Sequence, residues 1–443
     1  MPLDFRPYTG GLSIGQIAIA EYNARVTRRD PNRLVVKGTL LAASMLVIFG
    51  GAIMAPTLPA IRSQFADFQK IEFWVRFVLT LPPLLIAFSA PAAGYIVDTT
   101  GRKVVLVTAI VMAGFAGISG YFLQTFPTIL IGRAVLGIAV AGLMTSTTTL
   151  IADYYYGPER ARFMGLQAGF MGLAGTLLLP LTGALADVGW RSPFLVHLLA
   201  FALLPFVLLF IFEPRPPERC LDKPPAQGEP GTCAGQSIQE TKTSLPPAEQ
   251  QATPVRLIAF IYGVILLVEI VFYVIPIYLP FYLQEAFGAS AALSGMAISV
   301  MALSFAISSI SYGRVARRLD HISVLILGFG LIGIGYSVVT VAAGSALMYV
   351  GLAVSGIGLG QLVPNLYVWL ADEAPVQIRG RVIGGFTTAL FLGQFLSPIV
   401  SQPIVSRFAP ANTFLIAGLL LLVLVPFIFL GRNRLRLITA QPA

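Results

Sequence analysis

The chain has 443 residues, of which 56% are hydrophobic and only 11% charged, with a formal net charge of +9. Soluble domains carry about 25% charged residues, so the composition excludes an ordinary soluble enzyme. The basic residues are dispersed between long apolar stretches rather than gathered on one polar face, which excludes nucleic acid as the partner they serve.

Residues 1–33 are expected to form an N-terminal arm. It lacks the apolar core and cleavage site of a signal peptide. Leu12 to Arg29 mixes apolar and basic residues, and reads either as a helix on the membrane surface or as a flexible arm. Beyond it, apolar runs near or above about 18 residues recur to the end. In lipid such runs must be helical, because the backbone has no water to bond. Twelve spans are predicted, near 35–58, 72–97, 104–123, 127–151, 163–186, 192–212, 256–283, 291–313, 322–343, 346–370, 382–404 and 411–431. The fold class is therefore all-α, a membrane protein of twelve transmembrane helices. Several of the 31 prolines are expected to kink them.

Counting Lys37 with the arm, 23 of the 29 Lys and Arg fall on one side of the membrane if both termini share it. The excess of basic residues in cytoplasmic loops then puts both termini in the cytoplasm of a cell (inner) membrane. Residues 213–255 hold nine prolines and charges of both signs, and read as a disordered cytoplasmic linker with no chemistry of its own. Cys220 and Cys233 lie in it, where thiols stay reduced. The linker separates a six-helix bundle over 34–212 from another over 256–431, followed by a tail, 432–443.

The two bundles are copies. Ala152-Asp153 and Arg160-x-Arg162-x-x-Gly165 reappear 219 residues later as Ala371-Asp372 and Arg379-x-Arg381-x-x-Gly384. At the same offset Gly132-x-Ala134-Val135-x-Gly137-Ile138 reappears as Gly351-x-Ala353-Val354-x-Gly356-Ile357. Separate segments in one register mark a duplicated half. Duplicated helical halves related by an axis along the membrane normal are the architecture of a rocking transporter, with its cavity near the midplane between them.

Taken along the chain, Glu72 and Arg76 stand one turn apart and are expected to pair locally. The loop between spans 2 and 3 reads Gly94-Tyr-Ile-Val-Asp98-Thr-Thr-Gly101-Arg102-Lys103. Gly94 permits close helix approach, Gly101 a tight turn, and Asp98 can attract a helix N-terminus. Arg133 lies within span 4, where an arginine is costly and faces the interior or snorkels to the headgroups. His197 in span 6 reads as a satisfied interior residue.

Glu269 sits near the middle of span 7 with no charged neighbour within a turn. An ionised carboxyl is expensive there, so it is a candidate to carry a proton and release it when water arrives. Packing or cation binding remain its alternatives. Tyr262, Phe272, Tyr273 and Tyr278 of span 7, with Gln361 and Asn365 of span 10, are candidates for the cavity wall. Such an aromatic, sparsely charged wall suits an amphipathic or weakly cationic organic molecule. No metal-ligand cluster, nucleotide loop or nucleophile–base set is visible, so no cofactor, no metal and no enzymatic activity are expected.

Gly94-x-x-x-Asp98-x-x-Gly101-Arg102-Lys103 resembles the signature loop of the major facilitator superfamily (MFS). The span count, the central linker and the degraded second copy extend the resemblance over nearly the whole chain. Thr99 stands where the family usually has a basic residue. The resemblance implies that Asp98 meets the start of span 11, near Arg381 to Gly385, and that Arg102 pairs with Asp153. Together these would form a cytoplasmic latch of the outward-facing state. It also implies a proton-coupling role for Arg133, through the span 4 pattern Arg133-x-x-x-Gly137.

Gly175-x-x-x-x-Pro180-x-x-Gly183 in span 5 resembles the glycine–proline kink motif of twelve-span drug:proton antiporters, as does the segment Asp187-Val-Gly-Trp190-Arg191 after it. Leu179 and Ala184 replace two of the motif's glycines, and close packing at Leu179 is expected to suffer. The expectation is thus a monomeric secondary transporter exporting a small amphipathic organic compound or drug in exchange for protons. Proton symport or facilitated diffusion is the alternative direction, and a non-transporting receptor on the same fold is the alternative class.

Overall fold

The computed structural model describes residues 31–155, 157–214, 255–342, 344–375, 378–408 and 410–432. The first thirty residues of the expected arm, most of the linker and the tail beyond 432 lie outside them. Among the described residues, span 1 is the bent pair Leu34–Gly50 and Ala52–Gln64, and eleven further helices are long and apolar enough to cross a bilayer. In chain order these are Phe77–Thr100, Arg102–Phe122, Phe126–Tyr154, Gly157–Val188, Ser192–Phe210, Val255–Phe287, Ala291–Val315, His321–Val341, Ser345–Glu373, Arg379–Val405 and Pro410–Leu430, spans 2 to 12.

Span 1 departs from the single run expected over 35–58. It bends by 46° between its two parts. Two 3₁₀ turns, Leu46–Gly50 and Ala52–Thr57, flank Gly51, whose φ and ψ are −113° and −139°. Pro56 removes a backbone donor on the far side of the bend. Gly50 packs against Ile86 of span 2 and Val140 of span 4, so the break is held inside its own half.

Spans 1–6 and 7–12 form two helical bundles. In the first, span 4 packs against spans 2 and 3; in the second, span 10 packs against spans 8 and 9. The internal repeat is visible as one contact made twice. A Cβ on Gly137 would collide with Pro82 O and Leu85 Cβ, and a Cβ on Gly356 with Met301 O and Ser304 Cβ. Both partners are displaced by the same 219 positions as the glycines.

Between the halves, span 5 lies along span 8 and span 2 along span 11. The first seam is a close backbone approach: Gly183 faces Ala291 and Ala292, while Gly172 faces the methyl group of Ala306. The expected loss of packing at Leu179 does not occur. Gly295 of span 8 brings its bare Cα against Leu179 O and Pro180 Cα, so the partner helix supplies the missing small residue. Pro180 itself lies within the continuous helix Gly157–Val188.

Substituting Gly295→Val inserts a branched side chain where Leu179 O already stands. The expected cost is about 1–3 kcal/mol, read as a lowered melting temperature in detergent, whereas Gly330→Val, with nothing within 4 Å of its Cβ, should leave that temperature nearly unchanged.

Candidate functional site

The signature loop is built by three segments. Gly101 adopts φ +102°, a conformation open to glycine, between spans 2 and 3. Its missing side chain also leaves room for Glu213, whose carboxylate would stand 3.1 Å from a Cβ there. That carboxylate accepts from the backbone N–H of Arg102 at 2.7 Å and of Lys103 at 2.8 Å. It thereby satisfies two of the free donors that begin span 3. Lys103 Nζ donates to Leu208 O at 2.8 Å, and Tyr154 bonds both the N–H and the carbonyl of Phe212. Glu213 opens the segment expected to carry no chemistry; instead it fastens the loop to the end of span 6.

Arg102 Nε donates to Asp153 Oδ2 at 3.0 Å, and its Nη2 lies 3.7 Å from Asp98 Oδ1. The Asp98 side chain is 72% exposed. Among the described residues no ion pair or hydrogen bond joins it to the start of span 11. Gly94 likewise has nothing within 4 Å of a Cβ, so no helix approaches it closely in this arrangement.

The interior holds the two ionisable residues on separate halves. Arg133 is 1% exposed, with Nε donating to Val78 O at 2.8 Å and Nη2 to Phe49 O at 3.4 Å. It therefore turns inward, onto spans 1 and 2, rather than to the headgroups. His197 packs its ring 4.7 Å from that of Phe49 and donates from Nδ1 to Phe194 O at 3.0 Å; its Nε2 has no protein partner among the described residues.

Glu269 is buried between spans 7 and 11, where Oε2 accepts from Gln394 Nε2 at 3.0 Å. Gly393 makes this approach possible, because a Cβ there would lie 2.6 Å from Leu266 O and 2.8 Å from Glu269 Cβ. Ser397 donates to Ile270 O at 2.7 Å beside it, and Tyr336 of span 9 donates to Val271 O at 3.0 Å.

The six residues expected on one cavity wall are not brought together. Phe272 is half-buried and stacks edge-on with the buried Tyr273 at 5.5 Å. The Tyr273 hydroxyl would sit 3.3 Å from a Cβ on Gly51, at the bend of span 1. Tyr262 bonds Val382 O at 2.5 Å near the start of span 11, and Tyr278 bonds Ser401 at 2.7 Å towards the far end. Gln361 donates to Ser308 and Ser311, and Asn365 bonds His321 and Tyr312. Both amides are buried among spans 8, 9 and 10 with these partners, while Gln361 Oε1 has no hydrogen-bond partner among the described residues.

At the end opposite the signature loop the halves are joined by polar contacts. Arg62 pairs with Glu285 at 2.5 Å, Gln284 donates to Pro56 O at 3.1 Å, and Asp187 bonds the start of span 8. Arg76 is buried with its guanidinium 4.7 Å from the centre of the Tyr278 ring. Among the described residues no ion pair joins it to Glu72, which corrects the expected local pair. A cation–aromatic contact across the seam of spans 2 and 7 takes its place.

The sequence profile described as Major Facilitator Superfamily matches residues 40–280 and again residues 261–439. The chain belongs to the major facilitator superfamily. Among curated relatives of this superfamily member, the bacillibactin exporter of Bacillus subtilis (strain 168) is 23% identical over 83% of this chain and 89% of its own. The multidrug resistance protein MdtG of Escherichia coli O6:K15:H31 is 25% identical over 87% and 92%.

Two solved MFS structures share the fold. A bacterial homolog of the human lysosomal transporter Spinster superposes with a TM-score of 0.71 at 14% identity, over 93% of this chain and 99% of that one. A D-xylose-proton symporter superposes with 0.67 at 16%, over 89% and 96%. The protein is thus a multi-pass MFS membrane transporter.

Sequence reasoning passed over Gln394, Glu213, Gly295 and the Arg76–Tyr278 contact. Gln394 had a signal, a lone amide in the apolar run Phe391-Leu-Gly-Gln394-Phe-Leu. The others depend on segments that meet only in the folded MFS bundle. Among the described residues no group of three His, Cys, Asp or Glu is placed to hold a metal ion.

The Glu213 cap is directly testable. Glu213→Ala leaves two N–H groups of span 3 without their acceptor and should cost about 0.5–2 kcal/mol. Thermal unfolding in detergent checks this, with Glu213→Gln expected to lose less.

Proposed function

We propose that this transporter exports small amphipathic organic compounds in exchange for protons, by rocking its two halves. The reading places both termini in the cytoplasm of a cell membrane, so that the signature loop faces inward. The observation that carries it is Glu269. A carboxyl group lies within an apolar span, and its hydrogen-bond partner is a neutral amide, Gln394, at 3.0 Å rather than a cation. Such a group can hold a proton when shielded and lose it when water reaches it. The direction is supported by the exporters among the relatives, including the bacillibactin exporter and MdtG. Arg133 is assigned to the same coupling step from the other half.

In this reading the substrate meets Phe272 and Tyr273 of span 7, where aromatic surface adjoins the bend of span 1. The two ends of the molecule alternate. With polar contacts closing the end opposite the signature loop, Asp98 is free of span 11, as an inward-facing state requires. Closing the cytoplasmic end would bring Asp98 to the first turn of span 11, with Arg102 and Asp153 steadying the loop.

Glu269→Gln is expected to fold, because glutamine keeps the shape and a hydrogen bond to Gln394, and to lose at least tenfold in proton-driven export. The measurement is uptake of a lipophilic cationic dye into inverted vesicles, with and without a collapsed pH gradient. Export at the wild-type rate in the variant removes Glu269 from the mechanism. Dye movement in the direction of the proton flux overturns antiport.

A further inference from the structure

We propose that Asp187 is a positioning residue for transport, a charged latch that holds the end opposite the signature loop closed and sets the resting balance between the two access states. Asp187 is the penultimate residue of the span 5 helix, in the first half. Its Oδ1 accepts from Ala291 N at 2.7 Å and its Oδ2 from Ala292 N at 3.0 Å. Both donors belong to the first turn of span 8, in the second half. The carboxylate therefore chelates a helix N-terminus across the seam along which the halves must part.

The first-turn donors of that terminus have protein partners only while the halves touch. Backbone N–H groups in the first turn of a helix have no partner within it. In span 8 the first bond within the helix runs from Ser294 N to Ser290 O at 3.1 Å, so the N–H groups of Ala291, Ala292 and Leu293 need other acceptors. Ser290 Oγ takes that of Leu293 at 3.2 Å, and Asp187 takes the other two. Span 8 caps one of these donors itself and relies on span 5 for two. Opening this end gives both N–H groups and the carboxylate back to water, so the net cost is moderate and depends on the charge, since an anion at a helix N-terminus gains from the helix dipole.

Other polar contacts at this end are less able to do the same work. Arg62 and Glu285 join two flexible side chains that are 31% and 47% exposed, where an ion pair contributes little; Asp187 is exposed too, but its two acceptors meet fixed backbone donors. Gln284 offers a single neutral hydrogen bond. Asp187 also stands one helical turn from a close backbone approach of the seam, where Gly183 meets Ala291 and Ala292, so its bonds depend on the helices staying in contact there. The arrangement has the chemistry expected of Asp98 at the other end, an acid of the first half aimed at a helix start of the second.

The inference rests on the alternating-access part of the proposed function and not on proton coupling. The test is made at fixed pH without a gradient, so its failure and that of antiport are separable. Cys220 and Cys233 are replaced by serine, and spin labels are placed on cysteines at 64 and 286 for one end and at 99 and 318 for the other. Distances are measured by pulsed electron resonance in lipid nanodiscs.

Asp187→Ala should lengthen the first distance and shorten the second, changing the ratio of states about tenfold. Asp187→Asn, which keeps a neutral cap, should shift it the same way by less, and it carries the test should the alanine variant not fold. Unchanged populations in the asparagine variant, or broadening at both ends without a shift between states, would overturn the latch.

Discussion

Close backbone contact between spans 5 and 8 is the constraint on which the rest of the structure depends. Lipid tails are as apolar as leucine, so helices in a bilayer gain nothing from burying oily surface and associate through close packing. Here that packing comes from glycines facing backbone: Gly183 against Ala291, and Gly295 against Leu179 O. The same device builds each half internally, with Gly137 of span 4 against span 2 and Gly356 of span 10 against span 8 in equivalent places. Glycine contacts leave few interlocking side chains to disengage. A seam made this way can hold two bundles together and still permit one to turn against the other.

Charge is then placed so that it does not compete with this packing. Arg133 is held by the carbonyls of Val78 and Phe49, which the bends and prolines of neighbouring spans leave available, while its Nη1 has no hydrogen-bond partner among the described residues. Glu269 is satisfied by an amide. Neither is spent on an ion pair with the other, which would fasten the two halves at their midplane in every state. The ion pairs and carboxylate caps lie at helix ends, where water can take over either partner. Arg102–Asp153 and Glu213 brace the first half at the signature loop, and Arg62–Glu285 with Asp187 bridge the halves at the opposite end.

The fold was legible because its signals are local or periodic: apolar length sets the spans, and the 219-residue repeat sets their grouping. That Arg133 and Glu269 lie within apolar spans was legible for a related reason, and both are buried there. What a side chain faces is a different matter. Tyr262, Tyr278, Gln361 and Asn365 have the composition of a binding wall, and the structure gives each a hydrogen bond within its own half that no single span announces. Which side of a helix meets a neighbour depends on crossing angles that no single span encodes. Leu179 shows the same limit, since the glycine that compensates for it lies on another helix, more than a hundred residues away.

The fastening of span 7 to span 11 bears on how a proton event would reach the substrate side. Tyr262–Val382, Glu269–Gln394, Ser397–Ile270 and Tyr278–Ser401 join the two helices at four levels, and Gly393 brings their backbones together. With these fastenings spans 7 and 11 would move as one body in the proposed cycle, so the Glu269–Gln394 bond would persist through rocking rather than be the moving part. The groups facing Glu269 are Gln394 of span 11, Tyr336 of span 9 and Tyr273 of its own span, with Arg133 further away on span 4. Of the three second-half groups, Tyr273 is the one placed against the first half, at the Gly51 bend, and it lies within electrostatic reach of both Arg133 and Glu269. In the proposed cycle, rocking would change what Glu269 faces chiefly through Tyr273 and the bend of span 1. The broken helix, rather than a direct arginine–glutamate pair, is the element that links the two halves of the proposed coupling.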